Sequence, residues 1–241
     1  MTWTTWPPAG TPKYVYLLWG GVADDLIDMG FRTALRDLGA LRLQVNTDDA
    51  DVAGAMRFHT GDAPITAVVS LWGRLDDAGL RGVHELLAER ADRVAGWRVD
   101  ERRRLDPPEH YDGERADALA NVAVLRRPDE LDRAEWLQRW MVDHTGVAIR
   151  TQATLGYVQH LVLEAVTPDA PRVDGIVEEL FPTAGVTDVH AFYGSGGDDE
   201  ELKRRLEALM ASVARIGADR DLDLVPSSRR LWDLAPWGAD D

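Results

Sequence analysis

The chain has 241 residues, 45% of them hydrophobic and 29% charged, a composition that excludes a disordered or low-complexity protein. Its 42 acidic residues against 27 basic ones leave a net charge of −15, which argues against nucleic acid and anionic membrane surfaces as partners. The absence of cysteine excludes disulfides, a thiolate nucleophile and cysteine-ligated zinc or iron–sulfur clusters.

The opening MTWTTWPPAGTP has no basic stretch followed by an apolar core, so it does not read as a secretion signal. No apolar run approaches the ~20 residues of a membrane-spanning helix, and a cytoplasmic location is expected. Residues 1–12, with Trp3, Trp6 and three prolines, predict an extended arm packed on the body. Lys13–Trp19 is aromatic and β-branched and predicts a strand ended by Gly20-Gly21. A helix follows from about Val22 to Leu38, with Ile27, Phe31, Leu35 and Leu38 on one face and Gly39 as its stop. Leu41–Asn46 alternates apolar and polar residues as a half-buried strand does. Ile65–Trp72 is a further strand, a helix starts near Asp76/Asp77, and Val94–Arg104 closes the set. The order is β-α-β-β-α-β.

The second half repeats it. Asn121–Leu125 predicts a strand, and Asp132 with Glu135 an N-terminal cap for a helix reaching about His144. Tyr157–Val166 and Gly175–Phe181 are strands. Leu202, Leu206, Leu209, Val213 and Ile216 give the clearest helical period in the chain, stopped by Gly217 before a last strand over Leu222–Leu231. The repeated order predicts an α+β protein of two ferredoxin-like units, residues 13–105 and 119–241, joined by a linker at 106–118. Each unit covers one sheet face with helices and leaves the other bare. Packing the two sheets against each other as an intrachain pseudo-dimeric α/β barrel removes the exposed patch. Such a chain is complete as a monomer, with a dimer through outer edges as the alternative.

Residues 121–234 resemble the EthD family of the dimeric α/β-barrel superfamily. Three stretches carry the likeness: Leu125-Arg126-Arg127-Pro128-Asp129 with Glu135 and Trp140 through His144, then Tyr157-Val158-Gln159, then Asp174-Gly175-Ile176-Val177-Glu178 with Phe181. The first half lacks these signatures and reads as a diverged copy fused in place of a partner subunit. The resemblance implies an apolar cleft with one or two histidines. Relatives in the wider superfamily are cyclases, dehydratases, decarboxylases, cofactor-free monooxygenases and haem-degrading enzymes.

His144 follows Trp136 and Trp140 at steps of four, so the three share a helix edge. An imidazole there reads either as an acid–base group or as a cap at the helix end. His160 alternates with Val158, Val162 and Glu164 on one strand face, opposite Tyr157 and Gln159. It reads as a cleft residue or as a core histidine, and Tyr157 with Gln159 is the alternative pocket pair. Asp174 and Glu178 share one side of their strand, either as interior acids or as solubilising charges. Tyr193 is placed at a cleft mouth. No histidines stand three or four apart, so no local metal motif exists. Neither a G-x-S-x-G elbow nor a phosphate-binding loop is present.

The expectation is a cofactor-independent enzyme of cyclase, dehydratase, decarboxylase or monooxygenase type acting on a hydrophobic aromatic or polyketide-like molecule. His144 is its acid–base residue, Glu178 or Tyr157 orients it, and Trp136 and Trp140 wall the pocket. A single competent pocket is expected, in the second half. The alternatives are a non-catalytic binding or accessory protein, and haem or quinone chemistry.

Overall fold

The computed structural model describes residues 7–20 and 23–234, so Trp3 and Trp6 of the N-terminal arm lie outside the described residues. The strands are β1 (Lys13–Trp19), β2 (Ala40–Thr47), β3 (Ile65–Gly73), β4 (Arg93–Leu105), β5 (Leu119–Leu125), β6 (Gly156–Ala165), β7 (Gly175–Phe181) and β8 (Leu222–Asp233). They close into one antiparallel barrel in the order β1-β3-β2-β8-β5-β7-β6-β4. Within each half the order is the same: β4-β1-β3-β2 in the first, β8-β5-β7-β6 in the second. The halves meet along two hydrogen-bonded seams, Arg42↔Asp233 to Thr47↔Ser228 between β2 and β8, and Trp97↔Ala165 to Leu105↔Tyr157 between β4 and β6. Sheets merely stacked would leave four open edges, whereas here both seams are hydrogen-bonded and the barrel closes.

The helices lie outside the barrel. On the first half, α1 (Met29–Asp37) and α2 (Asp77–Ala88) are capped by Asp28 and Asp76, which accept from Phe31 N and Gly79 N. They bury Phe31, Leu35, Val83 and Leu87 against Tyr16, Leu43 and Val69. The expected helix from Val22 is shorter: a 3-10 turn spans Ala23–Leu26, and α1 begins only after the Asp28 cap. On the second half, α3 (Arg133–Leu137) runs without interruption through a π-helical segment, Gln138–His144, into α4 (Thr145–Thr151). The helix therefore continues past His144, which is no end cap. The short α5 (Val189–Tyr193), unforeseen in the sequence, and the long α6 (Asp199–Arg215) complete this side.

Strand alternation divides the second half into two environments. Val122, Val124, Val162, Ile176 and Val225 point into the barrel, against Val15, Leu17 and Trp97 of the first half. Ala123, Leu125, Tyr157, Leu161 and Val177 point outward, toward Trp136, Trp140, Leu209 and Ile216. Both faces of the sheet are covered, one by helices and one by the other half. Consequently each strand carries apolar residues on both parities.

Candidate functional site

A cavity of about 680 Å³ lies between the outward face of the second sheet and its helices. That size falls within the usual range of small-molecule sites, roughly 300–1,000 Å³. Its floor is Asn121, Ala123 and Leu125 of β5, Tyr157 of β6, Val177 and Glu179 of β7, and Leu222 and Leu224 of β8. Trp140, His144, Tyr193, Leu206, Leu209 and Val213 form the opposite wall. The rim includes Met56, Phe58, His59 and Thr60 of the first half. That loop is tied to β8 by paired Phe58–Leu224 backbone bonds and by Thr60 N donating to Asp223 Oδ1 at 2.8 Å. The helix side of the first half is instead filled with packed side chains.

Of the residues singled out in the sequence, His144, Trp140, Tyr157 and Tyr193 all line this cavity. Trp136 does not; it buttresses Trp140 at a centroid distance of 4.8 Å and donates its indole N–H to Ile216 O at 3.1 Å. Trp140 lies so close to Gly175 that a β-carbon there would come within 2.3 Å of its ring. The glycine of the Asp-Gly pair thus makes room for the tryptophan. His144 Nδ1 is held by Ser212 Oγ of α6 at 2.9 Å. Burial lowers the His144 pKa to about 4, so the imidazole is neutral at neutral pH. The helix-end field that would favour the cation is missing because His144 sits mid-helix. Gln159 also faces the helices; its amide donates to Thr145 Oγ1 at 3.1 Å and its oxygen accepts from Arg104 at 2.8 Å.

His160, Glu178 and Asp174 lie elsewhere. His160 points into the barrel, where Lys13 Nζ is 2.7 Å from its Nε2 and 2.5 Å from Glu101 Oε2. Glu178 accepts from Gln44 at 2.7 Å and Asn46 at 3.0 Å, with Arg229 Nε at 3.0 Å. A sheet separates it from His144, so the expected pairing of the two does not form. Burial opposes ionisation of Glu178, but Arg229 and Lys13 hold its carboxyl below the usual range. Asp174 ties a loop down, accepting from Arg127 N at 2.9 Å and pairing with Arg172 at 3.1 Å. The Arg-Arg-Pro-Asp stretch is structural in the same way: Arg126 pairs with Asp221 and Asp223, and Arg172 with Asp129.

Glu179 and Asn121 are cavity residues that the sequence reading did not single out. Glu179 Oε1 and Asn121 Oδ1 are buried without a hydrogen-bond partner, as is Trp140 Nε1. Burial pushes the Glu179 carboxyl up to about 7. The signal for Glu179 was parity: once Tyr157 and Gln159 face the helices, so must the residue that pairs with Tyr157. Among the described residues no group of His, Asp and Glu side chains is arranged to hold a metal ion, and no helix is long and apolar enough to cross a membrane.

No protein-family model matches the chain, and no curated protein matches it. Solved structures do resemble it in fold. An anthrone oxidase-like protein superposes with a TM-score of 0.62 at 9% identity, over 96% of this chain and 97% of its own. A candidate monooxygenase from Lactobacillus acidophilus NCFM gives 0.47 at 10% identity, over 95% and 100%. A chlorite dismutase variant from Candidatus Nitrospira defluvii gives 0.44 at 10% identity, over 90% and 91%. The first of these likenesses shows that the two chains share this α+β barrel fold.

Proposed function

We propose that the chain is an enzyme that binds a hydrophobic, aromatic or polyketide-like small molecule in the second-half cavity and acts on it by acid–base chemistry without a cofactor. One observation carries the reading. Apart from the charged Asp219, Arg220 and Asp221, the cavity is walled mainly by aromatic and aliphatic side chains, yet it buries His144 and the Glu179 carboxyl with no charged partner for either among the described residues. A purely structural hollow has no use for such groups, and burying them there is costly. With Nδ1 on Ser212, His144 has one ring nitrogen free for a ligand, as donor or acceptor according to tautomer. Tyr157 shares the cavity with it, whereas Trp136, Gln159, His160, Asp174 and Glu178 support the frame. The description of one fold neighbour as anthrone oxidase-like agrees with a polycyclic aromatic ligand.

The same reading treats the chain as two fused ferredoxin-like units, complete as a cytoplasmic monomer, because the repeated strand order needs no second chain to close the barrel. Were a haem to bind in this cavity, His144, with Nδ1 on Ser212 and its other ring nitrogen free, would be a residue able to hold the iron.

A thermal-shift panel of hydroxylated aromatics, anthrone- and quinone-like polycyclics, fatty acyl compounds and haem tests the proposal on wild type and His144→Ala. A ligand at 100 times its Kd stabilises by about 2.7 kcal/mol. The expected hit is a neutral aromatic that binds wild type more tightly than the variant, whose turnover falls about 10²–10⁴-fold. Full turnover in His144→Ala removes that residue from catalysis. A Soret band on adding haem turns the assignment to haem chemistry, and binding with no turnover turns it to a carrier or accessory role.

A further inference from the structure

The cavity floor carries a polar row that no motif announced. Glu179 of β7 stands directly opposite Tyr157 on β6 and directly opposite Asn121 on β5. Such cross-strand partners hold their β-carbons roughly 4.5–5.5 Å apart on one sheet face. All three therefore form a short line across three strands, and all three open on the cavity. The rest of the floor is Ala123, Leu125, Val177, Leu222 and Leu224. No Lys or Arg pairs with Glu179 among the described residues, in contrast to Glu178 beside it, which meets Arg229 at 3.0 Å. The unpartnered Glu179 Oε1, Asn121 Oδ1 and Trp140 Nε1 border one pocket. Buried polar atoms are nearly always satisfied, so a cluster of unsatisfied ones calls for a ligand's own polar groups.

We propose that Glu179 is the proton-transferring carboxylate of this site, and that its substrate class is an uncharged aromatic ketone with an acidic C–H beside the carbonyl, interconverted with its enol or phenol. The inference rests on the reading of the cavity as a small-molecule site. In the step, Glu179 takes the proton from carbon, the C–H electron pair becomes the C=C bond, and the carbonyl π pair moves onto oxygen. The carboxyl then returns the same proton to that oxygen. Atoms and electrons balance as an isomerisation, with no oxidant or co-reactant. The Trp140 indole N–H has no hydrogen-bond partner, and in this proposal it donates to the developing oxyanion. An anionic substrate is disfavoured: among the described residues the one Arg or Lys at the cavity is Arg220, already paired with Glu130 at 2.7 Å. A carboxyl raised toward neutrality is also a stronger base when ionised than an ordinary glutamate.

The probe is 2-tetralone, a bicyclic aromatic ketone with acidic C–H bonds. Its binding is read by quenching of tryptophan fluorescence, and its hydrogen–deuterium exchange in D₂O by NMR. Wild type is expected to accelerate exchange over buffer, with a rate that rises as pH passes upward through about 7. Glu179→Gln is expected to keep the affinity within a few-fold and lose about 10²–10⁴ of the exchange rate. Exchange by Glu179→Gln at the wild-type rate overturns the inference, as does binding to wild type without acceleration; both leave the cavity reading standing. Failure of 2-tetralone and of the whole ligand panel to bind overturns the cavity reading and this inference with it.

Discussion

Glu178 and Glu179 are neighbours on β7 and face opposite sides of the sheet, and nearly everything that distinguishes them follows from that. Glu178 is compensated by Arg229, Gln44 and Asn46. Removing its charge costs the Arg229 guanidinium one of its two carboxylate partners, Glu109 remaining at 2.8 Å, so Glu178→Gln is expected to destabilise by about 1–3 kcal/mol in denaturant unfolding. Glu179 behaves in the opposite sense. Its pKa rises on folding to about 7, so the folded state binds a proton that the unfolded chain releases from about pH 4.5 upward. Stability from this group is complete below the unfolded pKa and is lost as pH rises through 7. Glu179→Gln should therefore gain on wild type across that window, by up to about 3 kcal/mol, in chemical denaturation at pH 5 and 8. His144 is buried neutral with its pKa lowered to about 4. The stability it lends is present above its unfolded value near 6.5 and drains away toward pH 4. His144→Gln should flatten that acid limb.

Elements bring these residues together by means that local sequence shows only in part. Caps and stops are local, and the aspartates at 28, 76 and 132 each accept from the backbone N–H three residues on. Gly217 after α6 has φ +78°, a left-handed conformation that suits glycine. The π segment at Gln138–His144 is different, because α-helical spacing assumes i+4 bonds while this stretch is wound more widely. Trp136, Trp140 and His144 therefore share an edge only approximately: the first buttresses, and the other two line the cavity. Gly175 shows how one strand residue shapes the site from outside the polar row. Gly175→Ala drives a β-carbon into Trp140. The expected result is a loss of about 1–3 kcal/mol and weakened ligand binding, measured by melting and by the same panel.

At the scale of the whole molecule, one end of the barrel interior is apolar and the other is a charged network that crosses between the halves. Lys13 meets His160, Gln44 and Asn46 meet Glu178, Asn46 meets Ser227, and Arg229 meets Gln44. With two hydrogen-bonded seams as well, the halves should unfold in one transition, with calorimetric and van't Hoff enthalpies equal. Two separable transitions would show that the seams do not couple them. The eight strands and the main amphipathic helices, in their order, were determined by the sequence alone, because periodicity, capping aspartates and terminating glycines act over a few residues; α5 and the π segment were not. The repeated order of the halves was legible for the same reason, and Trp140, His144, Tyr157 and Tyr193 were singled out one by one among nine candidates, not as a group. Only the tertiary structure decided which parity of each strand faces the barrel and which the helices. Alternation defines two sets of residues but is unchanged when the faces are exchanged, and here both faces are buried and both sets contain apolar side chains. That choice sent His160 and Glu178 into the charged interior and gave the cavity to Glu179 and Asn121.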